Sequence, residues 1–209
     1  MARIVRFLIT PILLLFFAAS TAAAAPSATD QLRVTVDRVI ELLKNKELDP
    51  AKRRETLSSL IRKRFDFTLM SQQVLATNWN KALPDEKERF VRLFSDLLES
   101  TYMERIEAYT DEKVEYVNEK VKENRSIVDT IIVTKSVDVP ISYRMVLKGD
   151  DWFVYDVVIE EVSLIRNYRS SYREIVMKDG IGGLLKRMEE KVKELKESDR
   201  EAKNDGKGK

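Results

Sequence analysis

The spacing of apolar residues changes twice along this chain, and the second change constrains the fold most. From Val139 to Ile159 apolar side chains fall at every second position, and from Leu164 to Val176 at every third or fourth. Alternation marks half-buried strands, and the longer period marks an amphipathic helix. Gly149-Asp150 divides the alternating stretch and is a two-residue hairpin turn signal. An ideal turn there sets Leu147 against Trp152, Met145 against Val154, Tyr143 against Asp156 and Ile141 against Val158. Because side chains alternate between faces, this register assigns every one of them. The Trp152 face is nearly all apolar and is expected to meet helices. Asp156 is its exception. It is expected to be a structural buried acid held by Tyr143 or a backbone donor, since buried polar groups are usually paired. The sharper reading makes it a catalytic acid in a cone-shaped pocket, but the sequence offers no second catalytic group beside it.

Upstream, the helical period dominates. Thr29 is a candidate N-cap for a helix carrying Leu32, Val36, Val39, Ile40 and Leu43. Asp49-Pro50 opens a second helix, a capping carboxylate followed by proline at the first helical position. Arg64 to Trp79 holds a short third helix and its exit, and Pro84 starts a long fourth with Phe90, Phe94, Leu97, Leu98, Tyr102 and Ile106 on one face. Val114–Val121 and Ile127–Thr134 read as two further strands. Ser163 is expected to cap the helix that follows the sheet, which Gly180, Gly182 and Gly183 then interrupt. Helices, then strands, then helices specify an α+β domain with helices packed on one face of an antiparallel sheet.

Composition removes several chemistries. The chain has no cysteine, so neither disulfides nor a lipidated amino terminus is available. It has no histidine, which removes the commonest general base and metal ligand. Residues 1–24 read as a cleavable signal peptide: Arg3 and Arg6, an apolar run from Phe7 to Ala19, then the A-x-A site Ala22-Ala23-Ala24. The apolar run is shorter than the roughly 20 residues that span a bilayer. An address outside the cytoplasm follows. There are 37 basic and 35 acidic residues, so removing Arg3 and Arg6 balances the side-chain charge. A near-neutral protein has no global field for nucleic acid, and none is expected as a partner. Residues 27–196 are read as one domain and 197–209 as a charged, disordered tail. No Gly-x-x-x-x-Gly-Lys-[Ser/Thr] loop occurs, so no nucleotide site is expected. Catalytic residues, metal and cofactor are all expected to be absent.

One ordered series of motifs carries a resemblance. It comprises Arg64-Phe65-Asp66-Phe67 with Met70, Val74-Leu75 and Trp79; then Phe90, Phe94, Leu97-Leu98, Tyr102 and Tyr109; then Pro140 to Tyr143-Arg144; then Trp152-Phe-Val-Tyr-Asp156-Val, Ser163-Leu164, and Asn167-Tyr168-Arg169 with Tyr172. In order and spacing the series resembles the MlaC (toluene-tolerance) family over roughly residues 30 to 190. The chain departs from that pattern at Ala76 and Glu161, where glycine is usual, and at Tyr172, where phenylalanine is usual.

The resemblance implies a curved antiparallel sheet with helices closing its concave face over an apolar lipid pocket, and with it a periplasmic phospholipid carrier. It implies exchange with an inner-membrane ABC transporter bearing a ring-shaped substrate-binding subunit, and with an outer-membrane lipoprotein–porin complex. A two-tailed lipid exposes about 30 methylenes, and at about 0.8 kcal/mol each the penalty in water exceeds 20 kcal/mol. The carrier therefore needs an apolar cavity of roughly 1,000 Å³. The candidate lining is Phe94, Leu97, Leu98, Tyr102 and Ile106 of the fourth helix, facing Met145, Val154 and Val158, with Tyr143 and Trp152 on the sheet. Phe65, Phe67 and Met70 stand at the mouth or wall. Each of these would look the same in a filled core. Arg144, Arg166, Arg169 and Arg173 are either headgroup contacts or solvated charge. The alternatives are a carrier of hopanoid or another polycyclic lipid, a cone-fold enzyme using Asp156, and an adaptor acting through the charged C-terminal helix.

Overall fold

The structure is a computed structural model and describes residues 27–109 and 112–205. The expected signal peptide lies outside them. Helices α1 (Ala28–Lys44), α2 (Pro50–Arg64) and α3 (Phe67–Leu75), a 3-10 turn (Ala76–Lys81) and α4 (Pro84–Glu107) precede five strands, and α5 (Leu164–Asp205) closes the chain. The strands are β1 (Lys113–Lys122), β2 (Arg125–Val133), β3 (Val139–Lys148), β4 (Asp151–Ile159) and β5 (Val162–Ser163). They form one antiparallel sheet in the order β1-β2-β3-β4-β5. This is the α+β class read from the change in period.

Local chemistry sets the helix starts. Ser27, two residues before the expected Thr29, caps α1 by accepting from the Asp30 N–H at 3.0 Å. Asp49 accepts from the N–H groups of Ala51 and Lys52, both at 3.0 Å, with Pro50 at the first helical position. Asp66 does the same for α3: Oδ1 takes the Leu69 N–H at 3.0 Å, and Oδ2 pairs with Lys148 Nζ at 2.5 Å. Ser163 caps α5 through the Arg166 N–H at 3.1 Å, as its position predicted.

The hairpin follows its expected register only as far as Met145 and Val154. Gly149 takes φ 62° in the turn, and Leu147 and Trp152 are partners. A bulge then intervenes, because Met145 opposes Val154 but Arg144 opposes Asp156, which leaves Tyr155 as the extra residue. Every later pair slips by one: Tyr143 meets Val157, Ser142 meets Val158 and Ile141 meets Ile159. The expected Tyr143–Asp156 contact is therefore replaced. Asp156 lies across from Arg144, while Val157 and Ile159 take the face of Trp152 and Val154.

The edge of β4 beyond β5 is closed by side chains and one loop. Arg64 donates from Nη1 to the Trp152 carbonyl at 2.7 Å and to Gln31 Oε1 at 2.9 Å, and from Nε to Thr35 Oγ1 at 2.9 Å. Gln31 Oε1 accepts the Trp152 N–H at 2.9 Å. The Asp66 N–H reaches the Val154 carbonyl at 2.8 Å, and Phe65 bridges to Val154. An edge sealed in this way offers no template for another strand there.

Helix α5 bends at Gly180, whose φ of 70° and ψ of −177° suit only glycine. Beyond the expected end of the domain the helix continues to Asp205 instead of dissolving into a tail at Glu197. Asp199 ties it down by pairing with Arg54 at 2.5 Å.

Two departures from the family pattern fall on left-handed backbone. Ala76 has φ 51° and ψ −124°, and Glu161 has φ 68° in the turn joining β4 to β5. A β-carbon is disfavoured in both places. Ala76→Gly and Glu161→Gly are each expected to raise stability by about 0.5–1 kcal/mol, because the strain removed exceeds the extra chain entropy. Chemical denaturation checks this, and a loss of stability in both would contradict it.

Candidate functional site

The buried apolar residues fall into three clusters. The first lies among α3, α4 and α5, with Met70, Phe90, Phe94, Leu97, Leu98, Ile165, Tyr172, Leu184 and Leu185. Its aromatic rings interlock: Phe90 stacks on Phe94 with centroids 5.7 Å apart, and Tyr168 meets Phe94 edge-on at 5.2 Å. The second joins the sheet to α1. Val128, Ile141, Met145, Trp152, Val154 and Val157 lie under Ala28 and Leu32. The third holds Leu42, Leu43, Leu57 and Met103, where α1, α2 and the end of α4 meet. Each cluster has a fringe of half-buried apolar side chains. Tyr102 and Phe67 fringe the first, Tyr143, Ile159 and Leu164 the second, and Ile106 and Tyr109 the third. Phe65 packs against both the first and the second, and stacks on Phe67 at 5.9 Å.

The residues expected to share one lining are therefore distributed. Phe94, Leu97, Leu98 and Met70 belong to the helical core and pack on α5, not on Met145 and Val154. Met145, Trp152, Val154 and Tyr143 do share the sheet face. The bulge puts Val158 on the opposite face, paired with Ser142 and Ser163. Tyr102 and Ile106 face different clusters, and Phe65 links two. Phe67 lines an open groove of about 470 Å³ with Trp79, Val91, Lys87 and Arg92 on the helical side. Arg62 borders that groove and is fixed by Ser95 Oγ at 2.5 Å, Asp96 at 2.7 Å and Glu99 at 2.6 Å.

Sequence reasoning passed over Tyr116 and Arg33. Tyr116 sits on β1 facing the second cluster, and the Arg33 guanidinium lies 4.1 Å from its ring centroid. The alternation of Val114 and Tyr116 was the available signal. Burial pushes the Tyr143 phenol up to about 12. Burial also raises Tyr116, with Asp37 and Tyr143 adding to the shift and Arg33 opposing it. Both phenols stay neutral hydrogen-bond donors at physiological pH.

Asp156 is 1% exposed and fully engaged. Its Oδ2 accepts from Ser163 Oγ at 2.7 Å and Arg144 Nη1 at 3.1 Å, and its Oδ1 from the Ile165 N–H at 3.1 Å. The carboxylate thus holds the first turn of α5 to β4, the structural role expected: the backbone donor is the Ile165 N–H, and Arg144 and Ser163 stand where Tyr143 was the alternative. Among the described residues no cluster of acidic side chains is arranged to hold a metal, and no helix is long and apolar enough to cross a membrane.

Known proteins match this arrangement. The fold is similar to that of a phospholipid-binding protein from Ralstonia solanacearum, solved in complex with a phospholipid. The TM-score is 0.75 at 23% identity, covering 81% of this chain and 99% of that one. The intermembrane phospholipid transport system binding protein MlaC of Haemophilus influenzae is 25% identical over 124 residues, which is 56% of this chain and 58% of the relative's length. The model of the MlaC protein family matches residues 33–190, most of the sequence, and the chain belongs to that family.

Proposed function

We propose that this protein is a phospholipid carrier that receives acyl chains between the sheet face and the helices around it. The observation that supports this best is the divided interior. A protein of this size ordinarily builds one contiguous core, whereas here there are three clusters, fringed by the half-buried Tyr102, Tyr143 and Ile106 respectively, with Phe65 packed against two of them. Such seams open at lower cost than a close-packed core, where each lost contact leaves a void. Hydrocarbon entering a seam recovers the solvation penalty of exposed tails, about 0.8 kcal/mol per methylene. Membership of the MlaC family, with a phospholipid transport protein among the relatives, supports the same reading.

The carrier works in the periplasm after export on residues 1–24. There it exchanges lipid with an inner-membrane ABC transporter bearing a ring-shaped subunit and with an outer-membrane lipoprotein–porin complex. It acts by binding, and no reaction is assigned to it.

Protein purified from the periplasm under native conditions is expected to carry about one phospholipid per chain, visible as a mass increment in native mass spectrometry and as phospholipid after solvent extraction. Only lipid-free protein, even after incubation with phospholipid vesicles, would overturn the proposal. A polycyclic lipid in the extract would redirect it to the hopanoid alternative.

A further inference from the structure

Tyr116 and Tyr143 lie on the face of the sheet that α1 covers. Tyr116 pairs with Thr130 on β2, and Tyr143 pairs with Val128 two residues along the same strand, so the two tyrosines flank one short stretch of β2. They are close enough that ionising one disfavours ionising the other. The Tyr116 hydroxyl is buried without a hydrogen-bond partner. Neither phenol makes a hydrogen bond among the described residues. Buried polar groups are nearly always paired, so the unpaired Tyr116 hydroxyl, with a second phenol across β2 on the same face, needs a reason.

Asp37 acts on Tyr116 through its charge but makes no hydrogen bond to the hydroxyl, and the other neighbouring polar groups are already engaged. Thr130 donates to the Ile141 carbonyl at 3.0 Å. Glu119 accepts from the first N–H groups of α1, Ala28 at 3.0 Å and Thr29 at 3.3 Å, and from Ser126 Oγ at 3.4 Å. Arg33 covers the Tyr116 ring face from α1, and its contact is with the ring and not the hydroxyl. Two neutral O–H donors on an apolar surface suit a neutral acceptor. A phosphate would have to be desolvated there, whereas a carbonyl oxygen enters at much lower cost.

We infer that Tyr116 and Tyr143 donate hydrogen bonds to the ester carbonyls of a glycerolipid, fixing its backbone beneath α1 while the acyl chains extend over the sheet face. This rests on the carrier reading and adds the chemical feature the site selects, an ester-linked backbone in preference to an ether-linked one. A site built to donate to an oxygen discriminates against an analogue lacking it, because its own donors are then left bare.

The test uses the delipidated mature protein and an equimolar mixture of diester and diether phosphatidylglycerol of equal chain length, with bound lipid read by native mass spectrometry. Wild type is expected to prefer the diester about three- to tenfold, the range for one or two hydrogen bonds. Tyr116→Phe and Tyr143→Phe should each reduce the preference, and the double variant should bring it to about one, the loss falling on the diester. The Tyr116→Phe lipid-free protein should melt no lower than wild type, since its hydroxyl has no protein partner to lose. Equal loading of both lipids by wild type, a preference that survives in the double variant, or a marked drop in the Tyr116→Phe melting temperature would overturn the inference and leave the carrier reading standing. Wild type that takes up neither lipid would overturn both.

Discussion

Asp156→Ala is expected to destabilise the fold by about 3 kcal/mol, which for a chain of this length lowers the melting temperature by roughly 6–12 °C. The change removes a carboxylate that joins three elements: Arg144 on β3, the β5 residue Ser163, and the Ile165 N–H in the first turn of α5. The Ile165 N–H loses its acceptor where water does not reach, since Ile165 is 2% exposed. The Ser163 hydroxyl loses its acceptor but keeps its capping bond to Arg166. Breaking a fully buried ion pair costs about 3–5 kcal/mol, and the figure here sits at the lower end because the Arg144 side chain is 36% exposed and remains hydrated. Asp156→Asn keeps the shape and one acceptor oxygen, and its expected cost is about half as large. That variant also separates structure from chemistry: the Asp156→Asn carrier should still load phospholipid like wild type. If Asp156→Asn folds with wild-type stability but loses function, the carboxylate is a functional acid, and the enzyme reading returns.

The history of Asp156 shows where sequence was legible and where it was not. Gly149-Asp150 announced the hairpin, and the pairing of Leu147 with Trp152 follows from the turn alone. The bulge at Tyr155 had no signature. Trp152-Phe-Val-Tyr-Asp-Val reads as unbroken alternation, and an inserted residue in a strand carries no distinctive side chain. That one slip gave Asp156 to Arg144 instead of Tyr143 and moved Val158 off the candidate lining. Helix starts were readable because caps act within four residues: Asp49 and Ser163 each bond the helix they open. The apolar stripe of α4 was readable too, but not its partner. Phe94, Leu97 and Leu98 require something greasy opposite, and periodicity does not distinguish α5 from the sheet. The glycine departures gained their meaning only with the backbone angles, which place Ala76 and Glu161 in conformations that glycine tolerates best. The helix past Glu197 was missed because its anchor, Asp199 on Arg54, is a contact 145 residues apart in sequence.

Phe94→Ala should separate core from lining most sharply. In the delipidated protein it is expected to cost about 3–5 kcal/mol, because Phe94 is 0% exposed and its removal leaves a cavity beside Phe90 and Tyr168 that their rings fill poorly. Ile106→Ala is expected to cost only about 1 kcal/mol, since the side chain is half-buried and already forgoes part of its burial energy. Lipid loading should show the reverse order. Ile106→Ala removes apolar contact from a seam and should lower the fraction of protein that retains lipid. The Phe94→Ala protein that stays folded should retain lipid like wild type, because Phe94 packs on α5 and away from the sheet face. Lipid must be removed before the stability comparison, since a ligand bound only to the folded state masks destabilisation by mass action. Denaturation midpoints and lipid-to-protein ratios measured on both variants decide the matter. If Phe94→Ala costs less than Ile106→Ala while abolishing lipid uptake, the helical cluster is the pocket and the seam at Ile106 is core, the inverse of the assignment made from burial.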